Sequence, residues 1–72
     1  MEKEETAQLP ENQALTEMVV KWYFIGMRCM EAGMPYHPPN DGYLRIAFSL
    51  GWADSIMGVI SSEEDVVKQV MG

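Results

Sequence analysis

The chain has 72 residues, which is enough for one domain, and a domain of this size buries only about 60% of the surface that its unfolded chain exposes. The single cysteine, Cys29, excludes an intrachain disulfide, and the sequence has no cluster of cysteine and histidine residues that predicts a metal site. The net charge of −6 lies in acidic end segments around a neutral middle, so the composition argues against direct binding to nucleic acid, which needs a basic patch.

Residues 1–10 are charged and have no apolar periodicity, so the sequence predicts a disordered acidic tail. This tail is expected to be solvated; the alternative is that it docks on a basic protein surface or mimics a phosphate track. It has neither the basic start nor the apolar core of a signal peptide. The apolar run at 18–30 is interrupted by Lys21 and Arg28, whereas a membrane span needs about 20 mostly apolar residues. We therefore expect a soluble, cytoplasmic protein that makes no contact with a membrane.

A first long helix is predicted over about residues 12–33, with Asn12 as a candidate N-cap and Gly33, just before Pro35, as its end. At 100° per residue, one face gathers the residues expected to be inside: Leu15, Met18, Val19, Trp22, Gly26, Cys29, Met30 and Gly33. Phe24 projects from the opposite, charged face. Val20, Tyr23 and Met27 widen the apolar arc beyond the roughly 100° that a surface helix needs, which predicts an exposed apolar surface.

Residues 34–42 contain three prolines and the turn sequence Asn-Asp-Gly, which predicts a connector. A second helix is predicted over about 43–60, with more apolar surface than one covered face requires. The paired glycines Gly26 and Gly33, and Gly51 and Gly58, suggest a close approach of the two helices, although chance spacing is the alternative. Ser61 and Ser62, followed by acidic residues, predict the start of a short helix over about 63–71.

The predicted fold is therefore all-α. It is a helical hairpin of two long helices with a proline-containing connector, followed by a short C-terminal helix, in a single domain at 11–72.

Two residues, His37 and Cys29, have side chains that could take part in chemistry. His37 lies between Tyr36 and Pro38, and no nucleophile or orienting group stands at a defined spacing from it, so we expect a structural or contact role. Cys29 falls on the predicted inner face, where cysteine behaves as a small hydrophobe. The sequence therefore predicts no catalytic residue, no cofactor and no metal.

Three short motifs follow one another in the middle of the chain. They are Gly26 with Gly33, the connector Pro35-Tyr36-His37-Pro38, and the run from Arg45 to Trp52 with its Arg–x2–aromatic–x2–Gly–Trp pattern. In this order they resemble the ribosome modulation factor family and its shorter prophage-type relatives over about residues 22–56. The resemblance implies a hairpin held together by glycines and aromatic residues, here Trp22, Gly26, Gly33, Phe48, Gly51 and Trp52.

The founding member of that family is a basic protein that binds ribosomes in slow growth, and Arg45 is the basic position that matches its motif. Where the family has a basic N-terminal stretch, this chain has Glu2, Glu4 and Glu5.

The surplus apolar helix surface predicts a small non-enzymatic regulator that binds and inhibits a host macromolecular complex, and the resemblance to prophage-type relatives implies that a phage or prophage encodes it. Ribosome association in slow growth is the alternative function, and a homodimer is the alternative explanation of the apolar surface. The residues predicted to contact the partner are Val20, Tyr23, Phe24, Met27, Tyr36, His37 and Arg45.

Overall fold

A computed structural model describes residues 10–72 of the chain, and their side chains from Gln13 onward. Helix α1 spans Pro10–Glu31, α2 spans Gly42–Met57 and α3 spans Glu63–Met71. Helices α1 and α2 run antiparallel as a hairpin, and α3 packs against both. The predicted all-α hairpin with a short C-terminal helix is confirmed. Apart from Pro10, the tail predicted at 1–10 lies outside the described residues.

Both long helices end in a left-handed glycine. Gly33 (φ 73°) follows α1, where the Met34 N–H donates to the Cys29 carbonyl at 2.9 Å. Gly58 (φ 75°) follows α2 in the same way, with the Val59 N–H donating to the Asp54 carbonyl at 2.9 Å. These are Schellman motifs, which glycine favours because it lacks a Cβ. The prediction that the second helix continues to residue 60 is wrong, since the chain turns at Gly58.

The N-termini of α2 and α3 are capped by side chains. The Asp41 carboxyl group accepts hydrogen bonds from the backbone N–H groups of Tyr43 (3.0 Å) and Leu44 (3.2 Å). The Ser62 hydroxyl accepts one from the Asp65 N–H at 3.1 Å, which confirms the predicted serine cap. Each cap satisfies donors that the first helical turn leaves without a partner.

Helices α1 and α2 touch backbone to backbone at two glycines. A Cβ atom at Gly26 would overlap the carbonyl oxygen of Phe48, and one at Gly51 would overlap the carbonyl oxygen of Tyr23. The close approach predicted from the glycine pairs is therefore confirmed for Gly26 and Gly51. Gly33 and Gly58 end the helices instead.

The core lies where α3 closes over the hairpin. Its buried side chains are Val19, Tyr23, Met27, Ala47, Phe48, Val66 and Val70. The buried face of α1 lies roughly 60° around the helix axis from the predicted one. Tyr23 and Met27, predicted to form exposed surface, are buried, and Met18, predicted to be inside, is 40% exposed. The two faces differ because Gly26 faces α2 while Val66 and Val70 of α3 cover the adjoining side of α1.

Candidate protein-interaction surface

A regular apolar stripe runs along α2 beside the face that packs on α1. Tyr43, Ile46, Leu50, Ala53 and Met57 recur at alternating steps of three and four residues, which places them on one line along the helix. We call these five residues the α2 stripe. Tyr43, Ile46 and Met57 are 44%, 48% and 70% exposed, Ala53 is exposed and Leu50 is half-buried. This pattern is typical of a helix seam that packs against another helix.

The α2 stripe carries no charge. The charged residues of α2 are Arg45 and Asp54, and neither belongs to the stripe; Asp54 is buried, with only 7% of its surface exposed. A helix that is apolar all round is normally covered on all sides. Here α1 and α3 cover one side of α2, while the other side remains exposed.

Further exposed apolar side chains lie at the C-terminal end of α2. Ile56 belongs to the helix and Val59 and Ile60 follow it, and Ile60 is the most exposed of the large apolar residues that the structure describes. At the opposite end of α2, Asp41, Gly42, Tyr43 and Ile46 line a shallow concavity of about 340 Å³. Clustered apolar side chains on a surface mark a site of interaction more often than single ones do.

The position of the loop after α2 is fixed by a buried polar network. The Tyr23 hydroxyl donates to Asp54 Oδ2 at 2.6 Å, and the Ser61 hydroxyl donates to the same oxygen at 2.9 Å. The Ser61 N–H in turn donates to the Tyr23 hydroxyl at 2.9 Å. This closed triangle joins α1, α2 and the segment before α3, so it holds the far end of the α2 stripe in place.

Burial raises the pKa of the Tyr23 phenol, and its hydrogen bond to Asp54 raises that pKa further. The cause is that both the buried environment and the nearby carboxyl group disfavour a phenolate. The helical periodicity did not predict this network. The one signal in the sequence is Asp54 itself, the sole acidic residue of a mostly apolar helix.

The connector is anchored by aromatic packing. The ring of Tyr36 lies 5.1 Å from that of Trp52 and 5.8 Å from that of Phe48, and its hydroxyl shares a hydrogen bond with the hydroxyl of Ser49. The ring of Trp22 lies 6.3 Å from that of Phe48 on the α1 side. The aromatic residues that the family resemblance assigns to the hairpin therefore do pack together, and Tyr36 joins them.

A second groove lies between α1 and α3. It has a volume of about 430 Å³ and is lined by Thr16, Val20, Glu63, Glu64, Val67 and Lys68. Val20 and Val67, both half-buried, supply its apolar floor. The acidic residues at its edge occupy the first turn of α3, where they also stabilise the helix dipole.

The predicted partner-contact residues do not form one surface. Tyr36, His37 and Arg45 are exposed at the connector end, where Arg45 Nη1 donates to the Pro39 carbonyl at 3.4 Å. Val20 lies in the groove between α1 and α3. Phe24 is half-buried against the core, with its ring edge-on to Tyr23, and does not project freely from a charged face. Tyr23 and Met27 lie in the core, as described above.

Among residues 10–72, no group of three or more His, Cys, Asp or Glu side chains is arranged to share a metal ion. None of the described helices is long and apolar enough to cross a membrane. The resemblance to the ribosome modulation factor family stays a prediction, because no family model, curated protein or solved structure matches the chain at a significant level.

Proposed function

We propose that this chain is a small, cytoplasmic, non-enzymatic regulator that binds a host macromolecular complex and inhibits it. The observation that carries the proposal is the α2 stripe, a charge-free apolar line on the open side of the hairpin. It replaces the predicted surface that included Tyr23 and Met27, because those two side chains are buried.

The energetic argument rests on the large side chains of the stripe. Burying a whole Ile or Met side chain contributes about 1.5–3 kcal/mol. Ile46 and Met57 still expose about half or more of their surface, so each has roughly 1–2 kcal/mol to gain from a partner. Residues of this size at the centre of a contact are the ones whose truncation weakens binding most.

The test compares two Met→Glu variants. Met57→Glu places a charge in the α2 stripe, whereas Met18→Glu places the same charge on an exposed position of α1. Tagged wild type and both variants are used to capture proteins from a bacterial lysate, and the captured species are identified by mass spectrometry. We expect the same species with wild type and Met18→Glu, and their loss with Met57→Glu. Capture that is equal for all three would refute the assignment to the stripe.

The family resemblance supports ribosome association as a second candidate. Arg45, the basic residue of the matching motif, is exposed beside the connector that Tyr36 anchors. We expect co-sedimentation with ribosomal subunits at low salt that weakens steeply as salt rises, because phosphate contacts release counterions. An Arg45→Gln variant should sediment less with the subunits. Absence of the wild-type protein from ribosomal fractions at low salt would exclude this candidate.

A further inference from the structure

We propose that the α2 stripe pairs with the α2 stripe of a second copy of this chain, with the two helices antiparallel, in a twofold-symmetric dimer. The inference rests on the proposed function in that it uses the same surface. Dimerisation regulates access to that surface, because the dimer covers the stripe and the monomer presents it to the partner.

Charge favours this place for a contact between copies. The net charge of −6 lies in the acidic end segments, so two copies repel each other where those segments approach. The α2 stripe has no charged residue, and the one acidic side chain of α2, Asp54, is buried. Two copies can therefore meet at this line without placing like charges face to face.

Side-chain size favours the antiparallel orientation. If Leu50 of each copy lies at the twofold axis, Ile46 of one copy faces Ala53 of the other, and Tyr43 faces Met57. A large residue then meets a small one, and a flexible thioether meets an aromatic ring, which is a favourable contact. An in-register parallel pair would set Ala53 against Ala53, leaving a gap at the seam.

The end charges favour the same orientation. Arg45 lies near the N-terminus of α2, and the C-terminus of a helix carries a partial negative charge. In an antiparallel pair, each Arg45 lies towards the C-terminal end of α2 of the other copy. In a parallel pair, both Arg45 side chains would lie at the same end of the dimer, so the two positive charges would be closer together than in the antiparallel pair.

The length of the seam sets the expected affinity. From Tyr43 to Met57 the stripe is roughly 21 Å long at 1.5 Å per residue, so the contact falls at the small end of stable interfaces. We expect a dissociation constant on the order of micromolar. At lower concentrations the chain would be monomeric and the stripe free for its partner.

The first measurement is sedimentation equilibrium over about 1–500 µM protein, a range that brackets the expected constant. We expect the wild-type mass to rise from monomer to dimer. Ile46→Glu and Met57→Glu should each raise the dissociation constant at least tenfold, and Met18→Glu should leave it unchanged. Circular dichroism of each variant checks that the helices remain. A wild-type protein that stays monomeric throughout, or dimers equally stable in all variants, would overturn the proposal.

The orientation is tested by disulfide trapping in a Cys29→Ala background. Antiparallel pairing predicts that a mixture of Ile46→Cys and Ala53→Cys chains oxidises mainly to the mixed dimer. Predominance of Ile46→Cys chains joined to each other would overturn the antiparallel arrangement.

The outcomes also separate this inference from the proposed function. A monomeric protein whose lysate partner is lost with Met57→Glu refutes the dimer and retains the function. A dimer disrupted by Met57→Glu, with no partner that depends on the stripe, retains the dimer and refutes the function.

Discussion

Replacing Tyr23 by phenylalanine tests whether the buried network holds the three helices together. The substitution keeps the aromatic ring in the core and removes only the hydroxyl group. That hydroxyl donates a hydrogen bond to Asp54 and accepts one from the Ser61 N–H. Without it, the buried Asp54 carboxyl group keeps only the hydrogen bond from the Ser61 hydroxyl, and the part-buried Ser61 N–H has no acceptor. The perturbation is therefore confined to hydrogen bonding.

The expected loss follows from these two contacts. An unsatisfied buried donor costs about 1–3 kcal/mol, and a hydrogen bond to a charged group contributes about 1.5–3 kcal/mol. We expect Tyr23→Phe to lower the free energy of unfolding by about 2–3 kcal/mol. For a domain of 72 residues the total is roughly 4–11 kcal/mol, so this is a large fraction. The melting temperature should fall by about 10–20 °C.

The assay is urea unfolding followed by circular dichroism, at one fixed protein concentration, for Tyr23→Phe, Asp54→Ala and the double variant. Because the two side chains share one hydrogen bond, their effects should be non-additive, with a coupling energy of about 1 kcal/mol or more. Tyr43→Phe is the matched control, since Tyr43 is exposed and should change stability by less than about 0.5 kcal/mol. If Tyr23→Phe proves as mild as the control, or if the two losses simply add, the network does not stabilise the fold.

Three further predictions concern the close contact between α1 and α2, the N-cap of α2 and the pH dependence of stability. Gly51→Ala should destabilise the hairpin by more than about 3 kcal/mol in thermal melts, because its Cβ would overlap the Tyr23 carbonyl, whereas Gly42→Ala, with open space around it, should be near neutral. Asp41→Ala should cost about 1 kcal/mol of unfolding free energy through loss of the α2 cap; an unchanged urea midpoint would contradict this. The raised pKa of Tyr23 means that its contribution to stability is complete below pH ~10 and is lost as pH rises through the folded-state value. Alkaline unfolding followed by phenolate absorbance should therefore be less steep in Tyr23→Phe; equal steepness would refute this.

Local signals in the sequence were enough to place the helices. The turn residues of the connector, the Ser62 cap and the glycine that ends α1 act within a few residues of themselves, so their effects can be recognised without the rest of the fold. The length of α2 was overestimated for a related reason. Val59 and Ile60 continue the apolar pattern of the helix, and the left-handed conformation of Gly58, which ends it, competes with that pattern.

The face that each helix buries depended on contacts between distant residues. Tyr23 is a plausible surface residue on a helical wheel, and it lies in the core because Asp54 and Ser61, 31 and 38 residues away, complete its hydrogen bonds. Likewise, the excess apolar surface of the two long helices was evident from composition and periodicity. Which part of this apolar surface stays exposed was decided by the orientation of α1 at the Gly26 and Gly51 contacts and by the packing of α3. The sequence by itself therefore determined three helices with more apolar surface than a hairpin can bury, and the tertiary structure decided that the α2 stripe is the part left uncovered.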